Sequence, residues 1–184
     1  MKKALLTTAL LAGLSAQAAQ PSFNLLEAGI NKYDQDNSTR LSGSFEINNN
    51  IYGVASYEFL TEESNDIFGD TDIDQFTIGL GYKMDLNEDT SLFGQFEYGE
   101  VSFKNNFVDE SEDGYLLTVG MRSMVAENTE VFGQITHSNS DVASQTIVGF
   151  GARQWFTENV GAYVRYDRND YGDDSYGLGV SVSF

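Results

Sequence analysis

From residue 23 onward, apolar and polar side chains alternate along the chain with a period of two. Residues 76–84 place Phe, Ile, Leu, Tyr and Met on one face and Thr, Gly, Gly and Lys on the other. Residues 176–184 show the same pattern, with Tyr, Leu, Val, Val and Phe against Gly, Gly, Ser and Ser. A period of two is that of a β-strand, whereas an amphipathic helix needs a period near 3.6. The chain is therefore predicted to be all-β.

An internal repeat groups the strands in pairs. Residues 74–98 align with residues 113–137 at a constant offset of 39, without gaps. Each copy contains a strand, a short turn and a second strand, so the repeating unit is a hairpin. Applied to the whole chain, this template predicts ten antiparallel strands, with eight as the alternative, and short turns at one end with longer acidic linkers at the other. The predicted strands lie near 23–32, 39–47, 51–60, 75–84, 91–100, 114–123, 130–138, 145–154, 160–167 and 175–184.

The beginning of the chain is typical of an export signal. Two lysines precede an apolar stretch over residues 4–14, and Ala-Gln-Ala at 16–18 matches a small-residue cleavage site. We predict a signal peptide at 1–18 and a single domain at 19–184. No later segment has the roughly 20 apolar residues of a membrane-spanning helix. A mature chain located in a membrane must therefore be there as a barrel or as a peripheral protein, and the strand pattern predicts an antiparallel up-and-down transmembrane β-barrel.

Composition excludes several classes of function. The net charge is −18 at pH 7, which argues against nucleic acid as a partner, because phosphate binding needs a basic surface. The chain has no cysteine, so disulfides, iron–sulfur clusters and cysteine-based zinc sites are excluded. No cofactor is predicted.

Alternation alone does not say which face points outward. A secreted soluble barrel that binds a small ligand also alternates, with its apolar face inward. Here aromatic residues concentrate at both ends of the apolar face, as expected for membrane interfaces, and glycines crowd the polar face. We therefore predict that the apolar face meets lipid and that the polar face lines the lumen.

The predicted lumen carries charges of both signs. Lys83, Arg122 and Arg153 occupy equivalent repeat positions, which predicts a basic layer near the short-turn end, and Glu27 lies on the same face. The predicted lumen charges are Glu46, Glu58, Lys83, Glu97, Arg122, Arg153 and Arg165.

The chain ends in a recognisable pattern. Gly179 is followed by alternating apolar residues, including Val182, and by the terminal aromatic Phe184. This pattern resembles the insertion signal of outer-membrane proteins, which implies the barrel insertion machinery as a partner through β-augmentation. The mature chain as a whole resembles the small porin-like and OmpA-like outer-membrane β-barrel families of Gram-negative bacteria. The resemblance implies an outer-membrane location, with membrane lipids and lipopolysaccharide as partners.

Candidate sites for chemistry are sparse. His137 is the single histidine, and the adjacent Ser138 would point to the opposite face, so no catalytic pair is predicted and the chain is not expected to be an enzyme. Asp70, Asp72 and Asp74 alternate like calcium ligands but lack the glycine and distal glutamate of an EF-hand. They are a weak candidate metal site, and divalent cations at the acidic loops are a further expected partner.

The leading functional prediction is a non-enzymatic outer-membrane barrel with a structural, envelope-integrity or surface-interaction role. A narrow porin-like channel for ions or small solutes is the alternative, with a cation preference given by the acidic mouth. A secreted soluble ligand-binding barrel is the remote alternative.

Overall fold

The structure is a computed structural model that describes residues 20–33, 36–62, 71–104, 109–140 and 144–184. The chain forms a closed antiparallel barrel in which consecutive strands pair and the last strand pairs with the first. The prediction of ten strands is confirmed, and the alternative of eight is wrong. The strands are β1 (Leu25–Lys32), β2 (Asn37–Glu46), β3 (Ile51–Glu62), β4 (Thr71–Asp85), β5 (Thr90–Lys104), β6 (Asp109–Ala126), β7 (Thr129–Ser140), β8 (Ser144–Trp155), β9 (Val160–Asn169) and β10 (Asp174–Ser183).

The middle strands are longer than the sequence pattern predicts. β4 begins at Thr71 rather than near residue 75, β5 continues to Lys104, and β6 begins at Asp109 rather than near residue 114. The apolar alternation stops where these strands leave the predicted lipid band, but the backbone ladder continues, since it needs no apolar side chains. Segments interpreted from sequence as acidic linkers are therefore partly strand.

The sequence repeat corresponds to a repeat of strand register. Gly81 pairs with Gln95 in the β4–β5 hairpin, and Gly120 pairs with Gln134 in the β6–β7 hairpin, at the same offset of 39 residues. The second copy differs at its turn, where the register shifts between Met124 and Ala126. Equivalent residues of the two hairpins therefore have equivalent pairing partners and point to the same face of the sheet.

The apolar residues point outward. Leu80 is 58% exposed and Val119 is 62% exposed, whereas the polar Thr77 and Thr118 on the opposite faces of their strands are buried. A soluble ligand-binding barrel needs the reverse arrangement, so the remote alternative is wrong. Among the described residues there is no helix long and apolar enough to cross a membrane.

Candidate functional site

A chain of buried ion pairs follows the inner wall near the short-turn end, from β6 by way of β7 and β8 to β1. Glu130 on β7 is fully buried, and it accepts hydrogen bonds from Arg122 Nε at 2.6 Å and from Arg153 Nη1 at 2.8 Å. Arg153 Nη2 also donates to Glu27 Oε1 at 2.6 Å. The Ser181 hydroxyl joins these groups, since it accepts from Arg153 Nε and donates to Glu27, each at 2.9 Å. Strands β6, β7, β8, β10 and β1 are thereby tied together along the inner wall.

A separate ion pair occupies the other side of the same layer. Lys83 Nζ on β4 lies 2.9 Å from Glu46 Oε1 on β2. The layer thus combines Lys83, Arg122 and Arg153 with three carboxylates, those of Glu27, Glu46 and Glu130. The expectation of a basic layer is corrected: the three bases are at this level, but the charges balance, because an unpaired charge buried in the lumen would be strongly unfavourable.

The segment before β1 enters this end of the lumen. Phe23 is only 3% exposed, and its ring lies 4.8 Å from the Tyr52 ring and 5.9 Å from the Phe93 ring, measured between centroids. Lys83 Nζ and Arg122 Cζ lie 5.1 and 4.8 Å from the centre of the same ring. The sequence pattern placed Phe23 in the first strand, whereas β1 begins at Leu25. The predicted start of the first strand is therefore corrected from residue 23 to Leu25. The pattern could not show this, because Phe23 points into the lumen like Leu25 although it lies outside the ladder.

A small chamber lies next to the Phe23 ring, which forms part of its lining. Its volume is about 130 Å³, and Tyr52, Phe93, Phe132 and Tyr163 contribute to its wall. The Tyr52 hydroxyl donates to Gln95 Oε1 at 2.9 Å. These aromatic side chains occupy part of the narrow interior that ten strands enclose.

A second chamber of about 200 Å³ shares part of its wall with the first and extends toward the long-loop end. Its lining includes five carboxylates and two guanidiniums; these belong to Glu58, Glu97, Asp167, Asp173, Asp174, Arg40 and Arg165. Arg165 Nη2 is paired with Asp167 Oδ1 at 2.6 Å, and Glu97 accepts from Thr77 Oγ1 at 2.6 Å and from Gln95 Nε2 at 2.8 Å. This chamber therefore has an excess of negative charge.

Glu58 organises the wall of the second chamber. Its Oε1 accepts from Asn31 Nδ2 at 2.9 Å, from the Tyr33 hydroxyl at 3.1 Å and from the Ser38 hydroxyl. Partial burial and the neighbouring Glu58 carboxylate raise the pKa of Tyr33 well above its ordinary value, so this phenol stays a hydrogen-bond donor. The contacts link the end of β1 to β2 and β3.

The seven lumen charges selected from the sequence all lie on the inner face of the barrel, and the structure divides them between two levels. Lys83, Glu46, Arg122 and Arg153 belong to the ionic layer, while Glu58, Glu97 and Arg165 line the second chamber. Sequence reasoning did not select Glu130 as a lumen charge, although Glu130 is the first residue of the predicted strand 130–138. Its parity with Phe132 and Gln134 was the available signal, since residues two apart on a strand share a face.

The candidate metal ligands lie away from the lumen. Asp72 and Asp74 are at even-numbered positions of β4, as is the outward-facing Phe76, so they lie on the same face of the strand. Asp74 Oδ1 accepts a hydrogen bond from the Tyr57 hydroxyl at 2.6 Å. Asp70 lies outside the described residues. Within the described ranges, no group of three or more His, Cys, Asp or Glu side chains could hold a metal ion.

The histidine and the chain end occupy ordinary barrel positions. His137 faces outward with its Nδ1 3.3 Å from Thr146 Oγ1, while Ser138 lines the second chamber, so the two form no pair. In the pairing of β10 with β1, Gly179 pairs with Gly29 and Val182 pairs with Leu26. Phe184 is 62% exposed, and its backbone N–H donates to the Asn24 carbonyl at 3.3 Å.

The sequence profile of the outer membrane protein beta-barrel domain matches residues 4–184. The chain belongs to this family. Membership in this family places the protein in the outer membrane. No match was found among curated protein sequences.

Solved structures confirm the fold of this outer membrane β-barrel. The NanC porin aligns with a TM-score of 0.57 at 12% identity, over 87% of this chain and 99% of its own. The KdgM porin aligns with a TM-score of 0.52 at 13% identity, over 87% and 99% of the two chains. A KdgM porin in complex with disordered oligogalacturonate aligns with a TM-score of 0.50 at 12% identity, with the same coverage. At these identities the likeness establishes the architecture alone.

Proposed function

We propose that this chain is a non-enzymatic outer-membrane barrel with a closed lumen and a structural, envelope-integrity or surface-interaction role. The observation that carries the proposal is the buried layer at the short-turn end, where Glu130 joins Arg122 to Arg153 and Arg153 joins Glu27. Buried ion pairs that satisfy one another inside a narrow lumen leave no path for water or solutes through the space they fill.

Further support comes from how the layer is built. Glu130 pairs with Arg122 and Arg153 on the two strands beside its own, and Arg153 also reaches Glu27 three strands away around the barrel. The pairs therefore tie several strands of the wall together. Removing one partner would leave the other charge buried and unpaired, which opposes spontaneous opening of this layer. A closed and braced barrel suits a protein whose interactions are made by its outer surface and loops, with lipids and lipopolysaccharide as the expected partners.

Single-channel recording in planar lipid bilayers tests this proposal. The purified, detergent-folded protein is expected to insert without producing stable conductance steps. The folded state of the same sample is checked by heat-modifiable gel mobility, so that absence of current is not absence of protein. A reproducible unit conductance from the unmodified protein would contradict a closed lumen.

A narrow cation-preferring channel is the second candidate. The favouring observation is that the two chambers share wall residues, including Arg40, Gln95 and Glu97, and that the second chamber has more carboxylates than guanidiniums. Rings of carboxylates favour cations in narrow pores. If the unmodified protein conducts, the reversal potential in a KCl gradient tests the predicted ion preference. A shift toward the K⁺ equilibrium potential supports this channel, and a shift toward the Cl⁻ equilibrium potential contradicts it.

A further inference from the structure

Residues 20–24 turn into the barrel mouth at the short-turn end before the first strand begins. Arg122 Nη1 donates to the Ser22 carbonyl at 2.7 Å, and the Glu46 backbone N–H donates to Asn24 Oδ1 at 2.8 Å. The Phe23 backbone N–H donates to Glu46 Oε1 at 3.4 Å. The segment is thus held by Arg122 and Glu46 of the ionic layer and, at Asn24, by one backbone hydrogen bond from Phe184 just beyond β10.

The layer that closes the lumen has two halves of different construction. One half consists of side chains fixed in the wall, namely those of Glu130, Arg153, Ser181 and Glu27 on β7, β8, β10 and β1. The other half lies against β3 to β6, and there the central group is the Phe23 ring. It contacts Tyr52 on β3 and Phe93 on β5, and it lies beneath the cations of Lys83 on β4 and Arg122 on β6.

We propose that residues 20–24 are a plug and that Phe23 is its seal: the ring closes the β3–β6 half of the lumen, and its removal opens a passage for small ions. The inference rests on the proposed closed lumen and names the group that closes it. Phe23 lines the 130 Å³ chamber, so the ring separates that chamber from the short-turn end. Leaving the mouth would break the ring contacts and four hydrogen bonds to the barrel, but none of the pairings within the ladder of β1.

The groups left behind define what could pass. Without the ring, the opening would be bordered by Glu46, Lys83, Arg122, Tyr52 and Phe93. It would have the width of one phenyl group and charges of both signs. Small inorganic ions fit such an opening, whereas oligosaccharides and peptides do not.

The test compares Phe23→Ala with the unmodified protein in planar bilayers containing KCl. The matched control is Phe132→Ala, because Phe132 is also an aromatic residue of the chamber wall but lies beside Arg153 in the fixed half, with Cζ of that arginine 5.5 Å from its ring. We expect conductance steps from Phe23→Ala and none from the unmodified protein or Phe132→Ala. If Phe23→Ala gives no heat-modifiable barrel, Phe23→Leu is measured instead, with smaller steps expected.

The outcomes separate the plug from the closed lumen on which it rests. Conductance by the unmodified protein overturns the proposed function. If the unmodified protein and Phe23→Ala are both closed, the lumen is closed by the fixed ionic half and the plug inference is wrong. If Phe132→Ala conducts as well as Phe23→Ala, the inference is also wrong, because any lost ring would then open the lumen.

Thiol labelling gives a second readout that does not depend on ion flow. The sequence has no cysteine, so Ser44→Cys, which lines the 130 Å³ chamber, would be the single labelling site. A membrane-impermeant thiol reagent applied from the short-turn side of reconstituted vesicles should label Ser44→Cys faster when Phe23 is also replaced by Ala. Equal labelling rates with and without the Phe23 ring would overturn the plug.

Discussion

Arg122 and Glu130 form a two-point ion pair inside the barrel, with Nε 2.6 Å from Oε1 and Nη2 3.1 Å from Oε2. The preceding hairpin has Lys83 and Ser91 at the equivalent positions, and there Lys83 pairs with Glu46 on another strand while Ser91 bonds to Asp85. The repeat thus places a cation at equivalent positions of the β4–β5 and β6–β7 hairpins. Of these two hairpins, only β6–β7 also contains the carboxylate that pairs with its cation.

Replacing Glu130 by Ala should be strongly destabilising. The change leaves Arg122 and Arg153 buried without their shared carboxylate, and loss of one partner of a buried pair costs about 3–5 kcal/mol in free energy of unfolding. The measurement is reversible unfolding by urea in detergent or lipid, followed by tryptophan fluorescence. The double variant Arg122→Met with Glu130→Gln is the control, and it should recover part of the loss; equal losses in single and double variants would contradict a pairing role.

Arginine at the centre of the outer face should destabilise the inserted barrel. Leu80→Arg and Val119→Arg each put a charge on the lipid face, where the cost is about 2–4 kcal/mol near the bilayer midplane. Gln134→Arg is the matched lumen variant, because Gln134 lines both chambers and the new guanidinium has water and carboxylates nearby. Unfolding in lipid vesicles measures all three variants, and equal losses on both faces would refute the assignment of faces.

Gly81 should not tolerate alanine. A Cβ at this position would lie 2.0 Å from Cζ of Tyr52, so the ring that hydrogen-bonds Gln95 must move. Overpacking of this kind costs about 1–3 kcal/mol. Gly133→Ala is the control, since its Cβ would approach nothing closer than 3.7 Å. The thermal midpoint in detergent should fall for Gly81→Ala and stay near the original value for Gly133→Ala.

Phe184→Ala should impair assembly more than stability. The Phe184 ring is exposed, and the backbone hydrogen bond from Phe184 to Asn24 does not need it, so the folded barrel loses little. The terminal aromatic belongs to the pattern that resembles an insertion signal. The expected result is a lower yield of heat-modifiable barrel in cells together with unchanged unfolding in vitro. Phe156→Ala, an exposed aromatic in a turn at the same end, is the control and should assemble normally.

Strand number and face assignment followed from the sequence because both depend on short-range geometry. Successive side chains of a strand point to opposite faces, so the alternation around Leu80 and Lys83 was enough to separate the lipid side from the lumen side. The ends of the strands were harder to predict from the sequence. At Thr71 and Asp109 the apolar pattern is absent, yet the backbone ladder continues, since its hydrogen bonds do not depend on side-chain polarity.

The alternating pattern, the repeat and the placement of aromatic residues predicted an outer-membrane barrel of ten strands, with eight as the alternative, and all of the charges of the ionic layer except Glu130. The tertiary structure decided which of those side chains meet. Arg153 pairs with Glu27 across 126 residues, and Arg122 bonds to the Ser22 carbonyl across 100 residues. Such pairings depend on which strands face each other once the barrel closes, and a local period carries no information about that. The inward turn of Phe23 is decided in the same way, because the space it fills exists only when β3, β4, β5 and β6 have come together around it.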